Sequence, residues 1–296
     1  MVGSLGIVAA PKVSAPALAP PADACDAHSH VFGPFDCFPP AQASVYALPD
    51  ASPQTHASVR ATLGISRGVL TQPAPYAHDP AAMLSAIADA PDCLRGVAAA
   101  DSTIEDATLE RWRAGGIVGL RFVEMRAPTG QRYPGSVGFD QLLKLAPRMR
   151  KLGLHAQLWA TASDTASWMP TLLAAGLPLV LDHMACPDVV AGADGDDFRR
   201  ILEFGETGDI WIKLTLCRVS KTASYQDVRS FHDALIRRMP HRLVWGSDWP
   251  YVRMSPEPDA GNLLNTFHEW TTDENLRRRI LVDNPAWLYG FKGKAL

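Results

Sequence analysis

The amino-acid sequence predicts a single (β/α)8 barrel of the TIM type, and three observations lead there. Eight short β-branched or apolar runs alternate with longer amphipathic ones, the signature of βαβ units and a parallel sheet. The length, 296 residues, suits one such barrel, which takes roughly 250 residues. No Gly-rich phosphate fingerprint follows the first strand-like run, which argues against a doubly wound dinucleotide fold.

The elements follow in order. Residues 1–22 form an Ala/Pro-rich tail, expected to be extended and poorly ordered, and residues 23–296 form the barrel domain. Strands are expected at 24–31, 68–72, 95–101, 117–124, 154–160, 177–184, 210–216 and 242–249. Between them lie helical patterns such as DPAAMLSAIADA, TIEDATLERWRAGG, FDQLLKLAPRMRKLG and SYQDVRSFHDALIRRM. Several open on Asp, Ser or Thr and close on Gly, as helix caps do. One long helical segment is expected to close the chain, from residue 262 to about 290. The connection after the first strand, residues 32–57, is Pro-rich and far longer than a usual βα loop; such loops commonly cover the mouth where barrel active sites sit.

Composition excludes several classes. The 28 basic and 31 acidic residues leave a net charge of −3, which disfavours nucleic acid as a partner. No apolar run approaches the roughly 20 residues of a membrane span, and the first ten residues lack the basic start of a signal peptide. Five cysteines without a CxxC pair read as free thiols in a reducing compartment. A soluble cytoplasmic protein, monomeric or a small homo-oligomer, is expected.

The chemistry gathers at expected strand ends. His28 and His30 are two residues apart on strand one, so both face one side, and in a barrel that side is the catalytic mouth. His183 ends strand six and Asp248 ends strand eight. One inward His could be a satisfied core residue, and an Asp beside Gly-Ser and Trp-Pro could be a helix cap. Together the four make a set that can polarise a carbonyl and activate water, or hold a single Zn²⁺. His155 opens strand five at the opposite rim and reads as structural. His56, His78, His232, His241 and His268 fall in loops or helices and read as surface residues. Arg121, inside strand four, is hard to place in a core unless something anionic faces it. Arg126, Arg218 and Arg253 follow strands four, seven and eight and could reach a carboxylate. Gln72 ends strand two, and Trp159 ends strand five, where an aromatic ring would wall a pocket.

These residues sit in DAHSHVFG (26–33), the Tyr46-Ala-Leu-Pro loop, GLRF (119–122), LDHMACPD (181–188), IWIK (210–213), VWGSDWP (244–250) and DNPAWLY (283–289). In this order the segments resemble the amidohydrolase superfamily, and within it the lactonase branch related to 2-pyrone-4,6-dicarboxylate lactonase. The resemblance spans residues 24–290. It implies a barrel hydrolase acting on an anionic, small-molecule lactone, with Asp248 activating water and His28, His30 and His183 polarising the carbonyl. It also implies that Tyr46 faces the substrate. The superfamily at large holds one or two divalent metals on such residues, whereas several lactonases of this branch need none. Strand four lacks a bridging Lys, and strand five offers Gln157 and Trp159 where metal-rich relatives place His; the metal-free version is therefore expected, with one Zn²⁺ as the alternative. Cys186 stands where the dicarboxylate lactonase carries an Arg, three residues after the strand-six His. One anion-binding arm is thus missing, and a sugar-acid or monocarboxylate lactone is expected. A metal-dependent decarboxylase or hydro-lyase of aromatic acids is the competing reading, a lactone isomerase would use the same residues, and a non-catalytic barrel would leave them idle.

Overall fold

In the computed structural model, which describes residues 6–127 and 129–292, eight strands form one parallel sheet. They are β1 (Cys25–Ser29), β2 (Arg67–Thr71), β3 (Leu94–Ala98), β4 (Ile117–Val123), β5 (His155–Trp159), β6 (Leu179–Leu181), β7 (Ile210–Leu214) and β8 (Leu243–Trp245). Each pairs with the next in chain order. The ring closes just beyond β8: Asp248 N donates to His28 O at 2.8 Å, His30 N donates to Trp249 O at 2.9 Å, and Ser29 bridges Trp249 in parallel. This is a (β/α)8 barrel.

Helices α1 (Pro53–Leu63), α2 (Ala81–Asp89), α3 (Asp106–Ala114), α4 (Phe139–Lys151), α5 (Ala162–Ala174), α6 (Asp196–Thr207), α7 (Arg229–Arg238) and α8 (Ala260–Trp270) surround it. Alternate strand residues divide between two apolar clusters. One joins Leu70, Leu120, Leu158 and Ile212 to helix residues such as Leu142 and Met149. The other gathers Cys25, Ala27, Val69, Val97, Val118, Val180 and Val244 under Tyr289 and Phe291 of the C-terminal segment. Among the described residues no helix is long and apolar enough to cross a membrane.

Several expectations are corrected. The long connection is shorter than expected, because Ser52 accepts from Thr55 N and Pro53 takes the first helical turn, so α1 begins inside it. Strands β6 and β8 stop before His183 and Asp248, which lie in the loops just beyond. The final helical segment is broken at residues 271–273, where Asp273 accepts from Asn275 N and Leu276 N and starts a new helix. Residues 1–5 of the tail lie outside the described residues. Residues 7–9 pair with Leu48–Asp50, and the following stretch is tied to the barrel by Ser14 N to Asp259 Oδ1 (3.0 Å), Ala17 N to Asn265 Oδ1 (2.7 Å) and Trp249 Nε1 to Pro11 O (3.0 Å).

Three histidines read as surface residues are buried: His56, His232 and His268. His56 meets Ser29 Oγ at 2.9 Å and His232 meets Thr271 Oγ1 at 3.2 Å, so helix position alone misjudged them. His155 sits at the bottom of the barrel, its ring 5.6 Å from that of Tyr289, in space that exists because residue 119 is Gly. Burial holds His155 neutral, with its pKa lowered to about 3. The unfolded chain therefore takes up a proton near pH 6.5 that the folded chain refuses. The stability this contributes is present above pH 6.5 and is lost as pH falls towards 3, by about 1.4 kcal/mol per pH unit. In urea unfolding between pH 7 and 4, His155→Gln is expected to show a slope shallower by about one proton; an unchanged slope would place the titrating group elsewhere.

Candidate functional site

The mouth of the barrel holds a cavity of about 100 Å³, a size for a small molecule. Of the residues anticipated from sequence, His30, Tyr46, Gln72, Arg121, Trp159, His183, Arg218 and Asp248 line it, and His28 lies directly behind, fully buried. Arg126 is not brought there. Its side chain is 55% exposed, pairs with Glu124 at 3.6 Å and donates to Gly130 O at 3.0 Å.

The closing seam positions the histidine pair. Asp26 accepts from His28 N (3.1 Å) and Ser247 N (2.9 Å), and from Ser247 Oγ. One carboxylate thus staples β1 to the segment after β8. Burial pushes Asp26 up to about 6 despite the Ser247 hydrogen bonds. Gly246 is required at this seam, because a Cβ there would lie 2.7 Å from His28 Cβ. The result places Nε2 of both His28 and His30 3.5 Å from Asp248 Oδ1. His30 Nδ1 lies 2.7 Å from Thr71 O; a carbonyl only accepts, so Nδ1 carries the proton and a neutral His30 turns a bare Nε2 to the mouth.

His183 is delivered by strained backbone. His183, Met184, Ala185 and Cys186 have φ of 52°, 55°, 64° and 45°, four consecutive residues in the left-handed region that costs roughly 1 kcal/mol or more each. The turn is held by Ala185 N to Asp182 O (3.0 Å), Cys186 N to His183 O (2.8 Å) and Ala162 N to Cys186 O (3.0 Å). Cys186 does not line the cavity; its Sγ lies 3.9 Å from Asp182 O. Asp248 is also left-handed, with φ 62°, a conformation Asp tolerates better than most residues.

Beneath the mouth lies a charge network that the sequence reading missed. Lys213 and Asp182 are buried, 3.4 Å apart, and Gln157 joins them through Oε1 to Lys213 Nζ (2.7 Å) and Nε2 to Asp182 Oδ2 (3.2 Å). The anion facing Arg121 is Asp182: Nε and Nη2 donate to its Oδ2 at 3.3 and 3.2 Å. Burial would raise Asp182, but the cations Lys213 and Arg121 hold it well below the usual carboxylate range. Burial lowers Lys213 to about 8 against the pull of Asp182. The available signal was a Lys inside a buried parallel strand, IWIKL, and an Asp immediately before His183.

Asp248 is governed similarly. Burial would raise it, yet the Arg218 guanidinium holds it well below the usual range. Arg218 Nε donates to Asp248 Oδ2 at 2.8 Å and Nη2 to the same oxygen. Burial pulls His183 down to about 4 and keeps it neutral.

The outer wall is a stack of alternating cations and rings. Arg121 lies 5.0 Å from the Trp159 ring centre, Trp159 stacks on Tyr133 at 6.4 Å and 7°, and Arg253 lies 4.4 Å over Tyr133, all within cation–π range. Arg121 and Arg218 face carboxylates; Arg253, in contrast, lines the cavity and has no carboxylate within 4 Å among the described residues.

Comparison with known proteins identifies the family. The amidohydrolase family model matches residues 25–291. The chain belongs to the amidohydrolase family. Within it, the chain is 33% identical to a 2-pyrone-4,6-dicarboxylate hydrolase of Comamonas testosteroni over 91% of this chain and 90% of that one. It is 31% identical to a 4-sulfomuconolactone hydrolase of Rhizobium radiobacter, covering 91% of each. A crystal structure from Acinetobacter baumannii, a probable 2-pyrone-4,6-dicarboxylic acid hydrolase with citric acid bound, superposes with a TM-score of 0.78 at 26% identity, covering 91% of this chain and 100% of that one.

The divalent metal common in amidohydrolases would fall to His28, His183 and Asp248, whose donor atoms lie within 4.8 Å of one another. The three are compact enough for one ion. Their surroundings fit it poorly: Arg218 already occupies Asp248 Oδ2, and Lys213 Nζ stands 3.2 Å from His28 Nδ1, so an ion would add charge beside two buried cations.

Arg218→Met is expected to leave Asp248 as an uncompensated buried carboxylate and to cost a few kcal/mol at pH 7. Because Arg218 is what lowers Asp248, the variant's carboxyl pKa rises and the deficit shrinks as pH falls through it. Equal losses at pH 7 and pH 4.5 in urea unfolding would rule out that coupling.

Proposed function

We propose that this amidohydrolase is a lactonase that opens the ring of a carboxylated lactone by attack of water. The observation that carries this reading is Asp248: an ionised carboxylate whose Oδ1 faces two imidazoles at the floor of a cavity rimmed by arginines. Water between Asp248 Oδ1 and His30 Nε2 is positioned to lose a proton to the carboxylate as its oxygen attacks the lactone carbonyl. His28 and His183 face the developing oxyanion, where preorganised polar groups act most strongly. The ring C–O bond then breaks, and the proton held by Asp248 passes to the leaving oxygen. No metal is needed for these steps.

The substrate's charge follows from the wall. Arg121 and Arg218 each face a carboxylate, Asp182 and Asp248, and Lys213 shares Asp182; Arg253, which faces none among the described residues, is the cation most open to a substrate carboxylate, with Trp159 and Tyr133 as flat surfaces beside a ring. Tyr46 and Gln72 border the same space; Gln72 Oε1 is buried without a partner and offers an acceptor to a substrate hydroxyl. An anion approaching Arg218 also loosens its hold on Asp248, so substrate binding strengthens the base. That relatives act on pyrone dicarboxylate and sulfomuconolactone, and that one binds citric acid, supports an anionic lactone here.

Asp248→Asn removes the base at constant size and is expected to lower kcat by about two to four orders of magnitude while product-acid binding is largely kept. Near-normal turnover would place the base elsewhere. Arg253→Met is expected to raise KM about tenfold for a carboxylated lactone, and little for an uncharged one, because the lost contact is made equally in ground and transition states. A parallel rise for both substrates would remove Arg253 from anion recognition.

A further inference from the structure

The Lys213 ammonium has no solvent to turn to and three acceptors around it. It is fully buried, with Gln157 Oε1 at 2.7 Å, His28 Nδ1 at 3.2 Å and Asp182 Oδ1 at 3.4 Å. An ammonium carries three N–H donors and no lone pair. Any hydrogen bond between Lys213 and His28 therefore requires Nδ1 to accept. We propose that Lys213 is a positioning residue that fixes the tautomer of His28, so that the ring proton sits on Nε2 and a donor faces the mouth.

The rival arrangement is His28 Nδ1–H donating to Asp182. That oxygen is near, 3.2 Å from Nδ1, but Asp182 Oδ1 makes no hydrogen bond of acceptable geometry. The carboxylate is not free to swing into line, because Arg121 and Gln157 hold its other oxygen. Lys213 thus wins the contest for Nδ1 on direction rather than on distance.

The consequence is a division of labour between two histidines on one strand. His30 donates Nδ1–H to Thr71 O, which leaves the Nε2 of the neutral ring bare. His28 presents Nε2–H, which has no protein partner and lies 3.5 Å from Asp248 Oδ1. On the lactonase reading, His30 accepts from the attacking water and His28 donates to the carbonyl oxygen. A protonated Nε2 also has no lone pair for a metal, so the same contact disfavours an ion at His28, His183 and Asp248.

Long-range 1H–15N correlation spectra of the full chain labelled with 15N-histidine read the tautomer directly, with His28 assigned by its loss in His28→Gln. The expected result is Nε2–H in the wild type and a shift of population toward Nδ1–H in Lys213→Met, where no ammonium is left to require a bare Nδ1. Zinc titration of the same two proteins is expected to show at least tenfold tighter binding by Lys213→Met. Nδ1–H in the wild type overturns the inference even where the variant fails to fold, and so does an unchanged tautomer or zinc affinity in a folded variant. Failure of the wild type to turn over any lactone defeats the proposed reaction instead, and leaves the spectra to decide the tautomer.

Discussion

Two carboxylates, Asp182 and Asp248, are buried at the mouth of the barrel, and both can stay ionised there only because cations lie against them. Desolvating an ion costs several kcal/mol even after relaxation, so Lys213, Arg121 and Arg218 are as necessary to the fold as to the site. Arg121 sits on β4, Lys213 on β7 and Arg218 in the loop after β7. Their pairing ties β4, β6 and β7 to the loop beyond β8 and leaves little freedom to the histidines between them. The same matching accounts for the poor fit of a metal: the positive charge that an ion would supply is already provided by side chains.

Charge matching would be idle without the seam. The carboxylate of Asp26, spread over two backbone N–H groups and a hydroxyl, closes the sheet where β1 meets the chain after β8. Closure converts a sequence separation of more than 200 residues into a 3.5 Å approach of His28 to Asp248. The left-handed turn at residues 183–186 then adds His183 from the far side. Its strain is sustained by three backbone hydrogen bonds and buried packing, and it is placed where the chemistry needs a fixed imidazole.

Anion recognition is arranged by subtraction. Three arginines reach the cavity, but two of them already face the protein's own carboxylates, so the number of arginines overstates how many are open to a substrate. Arg253, on its stack of aromatic rings, is what remains. Cys186 leaves the arm suggested by the dicarboxylate lactonase unfilled and is not among the residues that line the cavity.

The sequence by itself determined the barrel and the mouth. Strand and helix periodicities are local properties, and residues at the ends of parallel strands must meet when eight of them close. His28, His30, His183 and Asp248 were legible for that reason, and so was the tail's departure from the rhythm of the barrel. The tertiary structure alone decided what each charge faces. Arg121 read as a substrate ligand because its anion, Asp182, lies 61 residues away on another strand. Lys213 was invisible because a single Lys in an apolar strand has no local partner, and Arg126 read like Arg218 until the loop turned it outward. His56, His232 and His268 looked exposed because helix position does not reveal which face another element covers. Periodicity is written residue by residue along the chain; charge compensation exists only between segments that the closed barrel brings together.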